Sequence, residues 1–505
     1  MPLYGSFKYG TAKYGASVLD APRFALEIDW DSDGVFDGTN EAPFLHALSV
    51  TRGRPYYIKK DGTGFERLNV GTLSGMFNNE DARFNVENLS SPYYPYIPVG
   101  KELRLRVRTP SDARWPVFAG IVNDIVPDSN LASTAAINAE DGVRLLKQAA
   151  SVLTQPNVRA DEVIPLMLNK IGWPSRWGSD LDIGADVHPY WWLNRESVLE
   201  GLHDLADSEL GAVWLGADGK LKFRSRYTSL PIVASLTGAD FLLGTIETPR
   251  PWEMVRNALR VNVYPPILQT AVEVWKWQEM PLIAAGESRI VFASFTYNSV
   301  SVPVESLVTP AATTDYRANT LTDGSGTNLT SNFSVTVLEQ FSGTAKLRIS
   351  NNGGTGGYPT LLRLRANAIT VPNETFAEAE NAESILRYQR RTFELAIRWF
   401  QSSALAQTLT DFMVSFLSTP KLFVKAVIRN NPDLQFGIDL GDTVDLYLPD
   451  KGIDGVYRLA WLQHKNVDRG LRVFDTTVLF EPYSDLSGNY WQFPAEVGVT
   501  TMFAP

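Results

Sequence analysis

Residues 71–107 constrain the fold of this chain more than any other part of the sequence. They read GTLSGMFNNEDARFNVENLSSPYYPYIPVGKELRLRV. The first and last parts alternate between apolar and polar residues, as β-strands do, and the middle is rich in the Asn, Asp, Ser and Pro that form turns. The pattern predicts a strand, a polar turn, a tyrosine-rich connection and a second strand. Nothing in it is typical of a catalytic site.

Similar signals extend through the amino-terminal half. Short alternating or apolar runs, broken by Gly, Pro and Asn, fill residues 23–126 and predict a barrel or a sandwich. Residues 160–230 predict an α+β region. We expect Asp161 to cap one helix and a second helix to start near Glu196. Asp218 and the glycine after it are a typical hairpin turn.

The carboxyl-terminal half changes character twice. Residues 265–380 are poor in charge and rich in Thr, Ser, Asn and Gly, which favours an inserted β-sandwich. Residues 381–485 return to a mixed plan, in which Ser402 is a candidate cap for an apolar helix.

Composition excludes several classes of site. At 505 residues, with 44% hydrophobic and 20% charged residues, the chain is expected to form three or four soluble domains. The absence of cysteine excludes disulfides, thiolate metal sites and a cysteine nucleophile. The four histidines lie far apart, which argues against zinc. A net charge of −10 argues against binding nucleic acid over the whole surface. We see no apolar run of membrane-spanning length and no signal peptide.

Three sets of motifs occur in order along the chain. The first comprises Asn79, Arg83, Phe84, Asn85, Glu87, Asn88, Ser91, Pro92, Tyr94, Tyr96, Gly100 and Arg104. The second comprises Ala206, Glu209, Gly211, Asp218, Gly219, Leu221, Phe223 and Arg226. The third comprises Asn431, Pro432, Leu434, Gly441, Asp442, Val444, Gly455, Tyr457, Arg458, Leu459 and His464. Together they resemble the hub and baseplate (tail-tip) proteins of long-tailed bacteriophages.

The resemblance implies a mainly β, multidomain fold with α+β portions. Its expected parts are an extended arm (1–24), a first tail-tube-like β-barrel domain (25–155), an α+β domain (156–264), an inserted immunoglobulin-like β-sandwich (265–380), a second tail-tube-like β-barrel domain (381–485) and a carboxyl-terminal tail (486–505).

The resemblance also implies a structural function and no enzymatic activity. Three copies would form a pseudo-sixfold ring that joins the hexameric tail tube or distal tail ring to the threefold tail tip and lines the DNA channel. The implied partners are the chain itself, as a homotrimer, a distal tail or tail-tube protein, and a central fibre or tail-tip protein. No specific recognition of nucleic acid is expected. The implied location is the phage tail tip or baseplate, after synthesis in the host cytoplasm.

One local motif points to a metal. Residues 29–37, DWDSDGVFD, place aspartates at alternate positions before a glycine, as calcium loops do. The candidate Ca²⁺ ligands are Asp29, Asp31, Asp33 and Asp37. The position of the bidentate glutamate in such loops holds Asn40, with Glu41 one residue late. The alternative is an acidic β-turn whose aspartates bond their own backbone.

The first 24 residues repeat Tyr-Gly with a period of five, at Tyr4, Tyr9 and Tyr14. This period fits neither a helix nor a strand. Tyrosine offers a flat contact area and glycine a loose backbone, so one interpretation is an arm whose tyrosines contact a neighbouring subunit. The other interpretation is a disordered tail.

Other candidate chemistry has simpler explanations. The acidic pair Glu140 and Asp141 stands where a helix is expected to begin, which the helix dipole favours. Tyr190, Trp191 and Trp192 could stack on a sugar, but such clusters are more often core or interface. The alternative function is a receptor- or carbohydrate-binding tail protein that acts through the inserted sandwich. A cell-wall hydrolase is a third reading, and we find no pair of residues that supports it.

Overall fold

The structure of the chain is a computed structural model. It describes residues 21–36, 38, 40–54, 58–59, 61–62, 64–66, 69–97, 99–128, 133–228, 230–468 and 471–483. The tyrosines Tyr4, Tyr9 and Tyr14 and the candidate ligand Asp37 lie outside these residues.

The described residues form 28 strands and six α-helices. The strands up to the insertion are β1 (Arg23–Ile28), β2 (Leu45–Gly53), β3 (Thr72–Asn78), β4 (Glu102–Arg108), β5 (Arg114–Pro127), β6 (Thr134–Asp141), β7 (Ala149–Val158), β8 (Ser179–Leu181), β9 (His188–Ser197), β10 (Ala212–Leu215), β11 (Leu221–Arg224), β12 (Ile232–Thr237) and β13 (Ala258–Val263). The later strands are β14 (Ile267–Lys276), β15 (Ser288–Ser294), β16 (Thr296–Tyr297), β17 (Val300–Ser301), β18 (Val304–Leu307), β19 (Tyr316–Asn319), β20 (Phe333–Gln340), β21 (Thr344–Asn351), β22 (Tyr358–Thr370), β23 (Thr375–Glu380), β24 (Thr392–Leu395), β25 (Val424–Arg429), β26 (Thr443–Leu448), β27 (Ile453–Asn466) and β28 (Phe474–Pro482). The helices are α1 (Val143–Leu146), α2 (Ala160–Lys170), α3 (Val198–Ser208), α4 (Ala382–Tyr388), α5 (Ser403–Leu417) and α6 (Pro432–Gly437).

A single sheet of 11 strands combines strands from the amino-terminal and carboxyl-terminal halves of the chain. Nine strands follow the order β1-β4-β5-β6-β3-β2-β27-β26-β12, while β28 pairs with β27 and with β25. The two halves meet where β2 pairs antiparallel with β27, from Ser49 opposite Lys465 to Gly53 opposite Trp461. The predicted β character of residues 23–126 is confirmed, because β1 to β5 all lie in this sheet.

The sheet covers two separate apolar cores. The first β core includes Leu26, Val50, Phe77, Leu105, Val122 and Ile137, one from each of β1 to β6. The second β core includes Leu236, Val424, Leu446, Leu462 and Val478. Alternation explains the first core: along β3, buried residues alternate with exposed ones up to Phe77. Phe24 of β1 also packs on Phe436 and Phe474. The edge strand β1 therefore contacts residues of the carboxyl-terminal half of the chain.

A third core is helical. It contains Leu202 of α3, Met167 of α2, Val261 of β13 and Leu409 of α5. Helix α5, in the region that we expected to form the second barrel domain, packs on β13 and β23 and shares this core with α2 and α3.

Two helix starts were predicted closely and one was wrong. The Ser402 side chain accepts the Leu405 N–H at 3.4 Å, which confirms it as the cap of α5. Helix α3 begins at Val198, two residues after Glu196. Asp161, in contrast, lies inside the first turn of α2 and accepts the Gly184 N–H at 2.8 Å. The predicted hairpin is confirmed as β10 and β11.

Residues 264–374 are inserted between two paired strands. β13 pairs antiparallel with β23, and Val263 lies opposite Thr375. The insertion carries one sheet of β14, β22, β18 and β19 and another of β15, β21 and β20. Both sheets contribute to a core that includes Val274, Ala293, Leu347 and Leu364.

Candidate functional site

The acidic loop, residues 29–35, follows β1 directly. One carboxylate oxygen from each of Asp29, Asp31 and Asp33 lies within 4.8 Å of the other two. Asp29 is 1% exposed, whereas Asp31 and Asp33 are exposed. Gly34 has a φ of +89°, which permits the sharp bend, and its N–H donates to Asp29 Oδ2 at 3.0 Å. The structure therefore brings together the three candidate ligands that it describes.

Two cations lie beside this loop. Arg176 Nη2 is 3.5 Å from Asp29 Oδ2, and Arg176 Nε donates to Glu102 Oε2 at 2.6 Å. Lys101 Nζ donates to Ser32 Oγ at 2.8 Å. Arg176 thus divides its charge between two carboxylates, and Lys101 binds a hydroxyl rather than one of the three aspartates.

The residues at and next to the position of the bidentate glutamate in calcium loops have other partners. Asn40 Oδ1 accepts the N–H groups of Leu26 and Ala42 at 3.0 and 3.1 Å. Glu41 is buried, and its carboxylate accepts Tyr93 Oη at 2.6 Å and Trp30 Nε1 at 3.4 Å. Burial raises the pKa of Glu41, although these two hydrogen bonds oppose the shift. No local sequence pattern pointed to this role of Glu41.

Glu41 fixes one side of the tyrosine connection, residues 79–101. Within it, Asn79 Nδ2 donates to Asn85 Oδ1 at 2.8 Å and Ser91 Oγ donates to the Arg83 carbonyl at 2.6 Å. Phe84 is fully buried, 5.3 Å from Phe77 between ring centroids. The motif residues that suggested a phage tail protein therefore hold a long irregular connection in one shape.

The connection also presents apolar side chains to solvent. Leu89 is 73% exposed, and Val86, Tyr94, Tyr96 and Val99 are also exposed. Because the buried side of the same segment is anchored by Phe84 and Tyr93, this apolar surface is held in place.

A charged junction joins three parts of the fold. Arg52 on β2 is buried and pairs with Asp439, just before β26. Asp439 Oδ2 also accepts the Ala217 N–H at 3.0 Å and lies 3.8 Å from Lys222 Nζ on β11. Burial opposes ionisation of Asp439, but Arg52 and Lys222 hold its pKa below the ordinary value. Sequence reasoning missed this junction because its members lie nearly 400 residues apart.

The Gly-Asp motif next to it has a local role. Gly441 has a φ of +85°, and a Cβ there would lie 2.3 Å from Cζ2 of Trp214. Asp442 Oδ2 accepts the Asp439 N–H at 2.8 Å. The motif therefore makes the tight turn into β26 and positions Asp439.

A cavity of about 240 Å³ opens beside this motif. Its walls include Trp214, Phe412, Met413, Arg458 and Glu481. Arg458 Nε donates to Glu481 Oε1 at 2.9 Å. Burial of Glu481 acts to raise its pKa. The charges of Arg458 and Arg54 outweigh that effect, and the pKa of Glu481 is lowered. The motif arginine Arg458 is thus paired inside the chain.

The remaining sequence candidates are structural. Asp141 accepts the N–H groups of Gly71 and Val143 at 2.8 and 3.1 Å, so it binds the first N–H of α1, in line with an acidic residue placed at a helix start. Trp191 is fully buried, and its ring lies 5.7 Å from that of Trp399. The core interpretation is therefore confirmed for Trp191.

The basic residues of β4 also find partners within the chain. Arg104 and Arg106 both bind Glu27 of β1, at 2.7 and 2.6 Å. Burial opposes ionisation of Glu27, but the two arginines lower its pKa. Glu27 therefore offsets part of the positive charge on this face.

Comparisons with known proteins place these features in context. No family model matches the chain, and no curated protein matches it. The tail protein from Neisseria meningitidis MC58 is 10% identical with a TM-score of 0.48, over 91% of this chain and 96% of that one. The prophage MuSo2 43 kDa tail protein from Shewanella oneidensis is 11% identical with a TM-score of 0.47, over 91% and 98%.

The structural neighbours of this chain include tail and prophage tail proteins. They also include the E. coli c3393 protein, described as a component of the type VI secretion system with structural similarity to T4 bacteriophage tail proteins gp27 and gp5. That protein is 9% identical with a TM-score of 0.35, over 87% of this chain and 74% of that one. Among the described residues, no helix has the length and hydropathy needed to cross a bilayer.

Proposed function

We propose that this chain is a structural hub protein of a phage tail. Three copies form a pseudo-sixfold ring that joins the hexameric tail tube or distal tail ring to the threefold tail tip, with the DNA channel at its centre. The partners in this proposal are the chain itself, a tail-tube or distal tail protein and a central fibre or tip protein. The location is the virion.

The observation that carries the proposal is the pairing of β2 with β27. It joins two separate β cores into one sheet, so each copy supplies two β units side by side. Three copies then supply six units around an axis, which matches a sixfold partner on one face and a threefold partner on the other. The ordered motif resemblance in residues 79–104 and 431–464 supports the same arrangement.

The tyrosine connection supports contact between copies. Its exposed apolar residues are clustered on one anchored segment, and clustered apolar surface is typical of protein interfaces. In the proposed ring this segment lies against the neighbouring copy. The tyrosine arm, with Tyr4, Tyr9 and Tyr14, ties adjacent rings together.

Mass photometry and negative-stain electron microscopy of the full chain test the ring. We expect trimers with a central channel, and loss of trimers in the Leu89→Ser/Tyr96→Ser variant. The matched control is Leu386→Ser, because Leu386 is 88% exposed on α4, away from the connection. A monomer at every concentration, with no ring at the tip of assembled particles, would overturn the proposal.

A specific observation favours a second candidate, a receptor-binding function of the insertion. Ile290 and Phe292 are exposed on the same face of β15, which pairs only with β21 within its sheet. Host-cell or glycan binding by the full chain that is lost in the Ile290→Ser/Phe292→Ser variant would support it. Unchanged binding in that variant would reject this surface.

A further inference from the structure

The acidic loop contains a buried carboxylate oxygen that lacks a donor. Asp29 is 1% exposed, and its Oδ1 has no hydrogen-bond partner among the described residues. The other oxygen, Oδ2, is taken by the Gly34 N–H at 3.0 Å. An unsatisfied buried acceptor costs about 1–3 kcal/mol, and more when charged. A cation bound beside this oxygen would remove that cost.

The neighbouring charges also point to a cation. Three carboxylate oxygens lie within 4.8 Å of one another, on Asp29, Asp31 and Asp33. At this separation each pair of unit charges repels by roughly 1 kcal/mol in water, and by more where water is excluded. Arg176 and Lys101 offset part of this charge, but Arg176 is shared with Glu102 and Lys101 binds the Ser32 hydroxyl.

The chemistry of the ligands selects the ion. All three are carboxylate oxygens, on alternate residues of a loop bent at Gly34, which suits the flexible, oxygen-only coordination of Ca²⁺. Carboxylate oxygens suit Ca²⁺, Mg²⁺ and Mn²⁺, and not the metals that prefer nitrogen or sulfur ligands. Mg²⁺ loses its water reluctantly and demands near-ideal octahedral geometry, so an exposed loop of this kind favours Ca²⁺.

We propose that Asp29, Asp31 and Asp33 form a Ca²⁺ site at the end of β1. The site departs from a helix-flanked calcium loop, because Asn40 binds the Leu26 N–H of β1 and Glu41 binds Tyr93 and Trp30. Without the bidentate glutamate, the affinity falls in the weak class, with a Kd of about 0.1–1 mM. Water and backbone carbonyls complete the coordination.

The site has a structural consequence for the surface next to it. Glu41 ends the segment after the acidic loop and bonds Tyr93, while Lys101 at the end of the tyrosine connection bonds Ser32 within the loop. Bound Ca²⁺ therefore stabilises the tyrosine connection from both ends, and Ca²⁺ raises the temperature of thermal unfolding.

Isothermal titration of the full chain with CaCl₂ after chelation tests the proposal, alongside thermal unfolding with and without Ca²⁺. We expect one saturable site and a raised midpoint, both lost in the Asp31→Asn/Asp33→Asn variant. The matched control is Asp450→Asn/Asp454→Asn, which removes two exposed carboxylates near β26 and β27 and keeps the site. Circular dichroism verifies that both variants fold.

Two further measurements test the same site. Arg176→Gln removes a competing cation 3.5 Å from Asp29, so it should tighten Ca²⁺ binding several-fold. MgCl₂ should bind at least tenfold more weakly than CaCl₂. The proposal is overturned by the absence of saturable Ca²⁺ binding at 10 mM, a concentration about ten times the weakest expected Kd. Equal binding by the wild type and by Asp31→Asn/Asp33→Asn would overturn it as well.

Discussion

Gly441 shows how a single residue of the carboxyl-terminal motif supports the fold. Its φ of +85° lies in the left-handed region, and a Cβ would fall 2.3 Å from the Trp214 ring. Left-handed strain and overpacking each cost about 1–3 kcal/mol. Gly441→Ala should therefore lower the free energy of unfolding by about 2–6 kcal/mol. Chemical denaturation measures this.

The control for this prediction is Gly455→Ala. Gly455 lies in β27, where an added Cβ meets nothing within 4 Å. It should change stability little. Equal losses in the two variants would mean that the approach of Trp214 to Gly441 is not what requires the glycine.

Asp141 makes a separate prediction about pH. Burial raises its pKa to about 7, although the N–H groups of Gly71 and Val143 and the charge of Arg52 oppose the shift. Between its ordinary pKa of 3.8 and about 7, the folded state therefore holds a proton that the unfolded state releases. Its contribution to stability is present at low pH and is lost as the pH rises through this window. The slope is at most about 1.4 kcal/mol per pH unit.

Asp141→Asn removes this titration. The free energy of unfolding of the variant, relative to the wild type, should rise between pH 4.5 and pH 8. Groups such as Asp439 and Glu481, whose pKa values are lowered, titrate in both proteins and cancel in the difference. A difference that stays constant with pH would show that Asp141 is ionised in the fold across this range.

At the scale of elements, local signals in the sequence were sufficient for local structure. The Asp218 turn predicted β10 and β11, and Ser402 predicted the start of α5, because each depends on residues close in sequence. The pairing of β2 with β27 could not be predicted in this way. It depends on the packing of strands about 400 residues apart, and neither strand has a sequence pattern that is specific to the other.

The candidate metal site likewise has a part that depends on local sequence and a part that depends on long-range contacts. The alternation of Asp29, Asp31 and Asp33 was sufficient to predict that their carboxylates converge. The role of Glu41 was not predicted, since its partner Tyr93 lies 52 residues away. A contact of that range is set by the folding of the tyrosine connection and not by spacing.

The charged junction makes a prediction at this scale. Breaking a buried ion pair on one side costs about 3–5 kcal/mol, because the remaining charge is left without a partner. Asp439→Asn should therefore destabilise the chain by roughly this amount, measured by chemical denaturation. Asp450→Asn, which removes an exposed pair with Lys451, should cost at most about 1 kcal/mol. Similar effects of both variants would show that Arg52 does not depend on Asp439.

For the whole molecule, the insertion is separable from the sheet that carries the proposed hub function. Residues 264–374 leave and re-enter through β13 and β23, whose ends Val263 and Thr375 are directly opposite each other. The two sheets of the insertion share a core of their own. The rest of the chain keeps its two β cores and the helical core without any residue of the insertion.

Replacing residues 264–374 by Asn-Gly should therefore leave a folded chain, since a two-residue turn of this type closes an antiparallel pair. The variant loses the hydrogen bond from Ser342 Oγ to the Leu193 carbonyl and that from the Tyr264 N–H to the Phe400 carbonyl, so a modest fall in thermal midpoint is expected. The same deletion begun one residue earlier shifts the register, turns buried side chains of β13 outward and should unfold. If the first variant forms rings but no longer binds host cells, the hub function belongs to the sheet and the receptor function to the insertion. If the first variant folds but forms no ring, the insertion itself contributes to contacts between copies, and a ring built from the two β units alone is wrong.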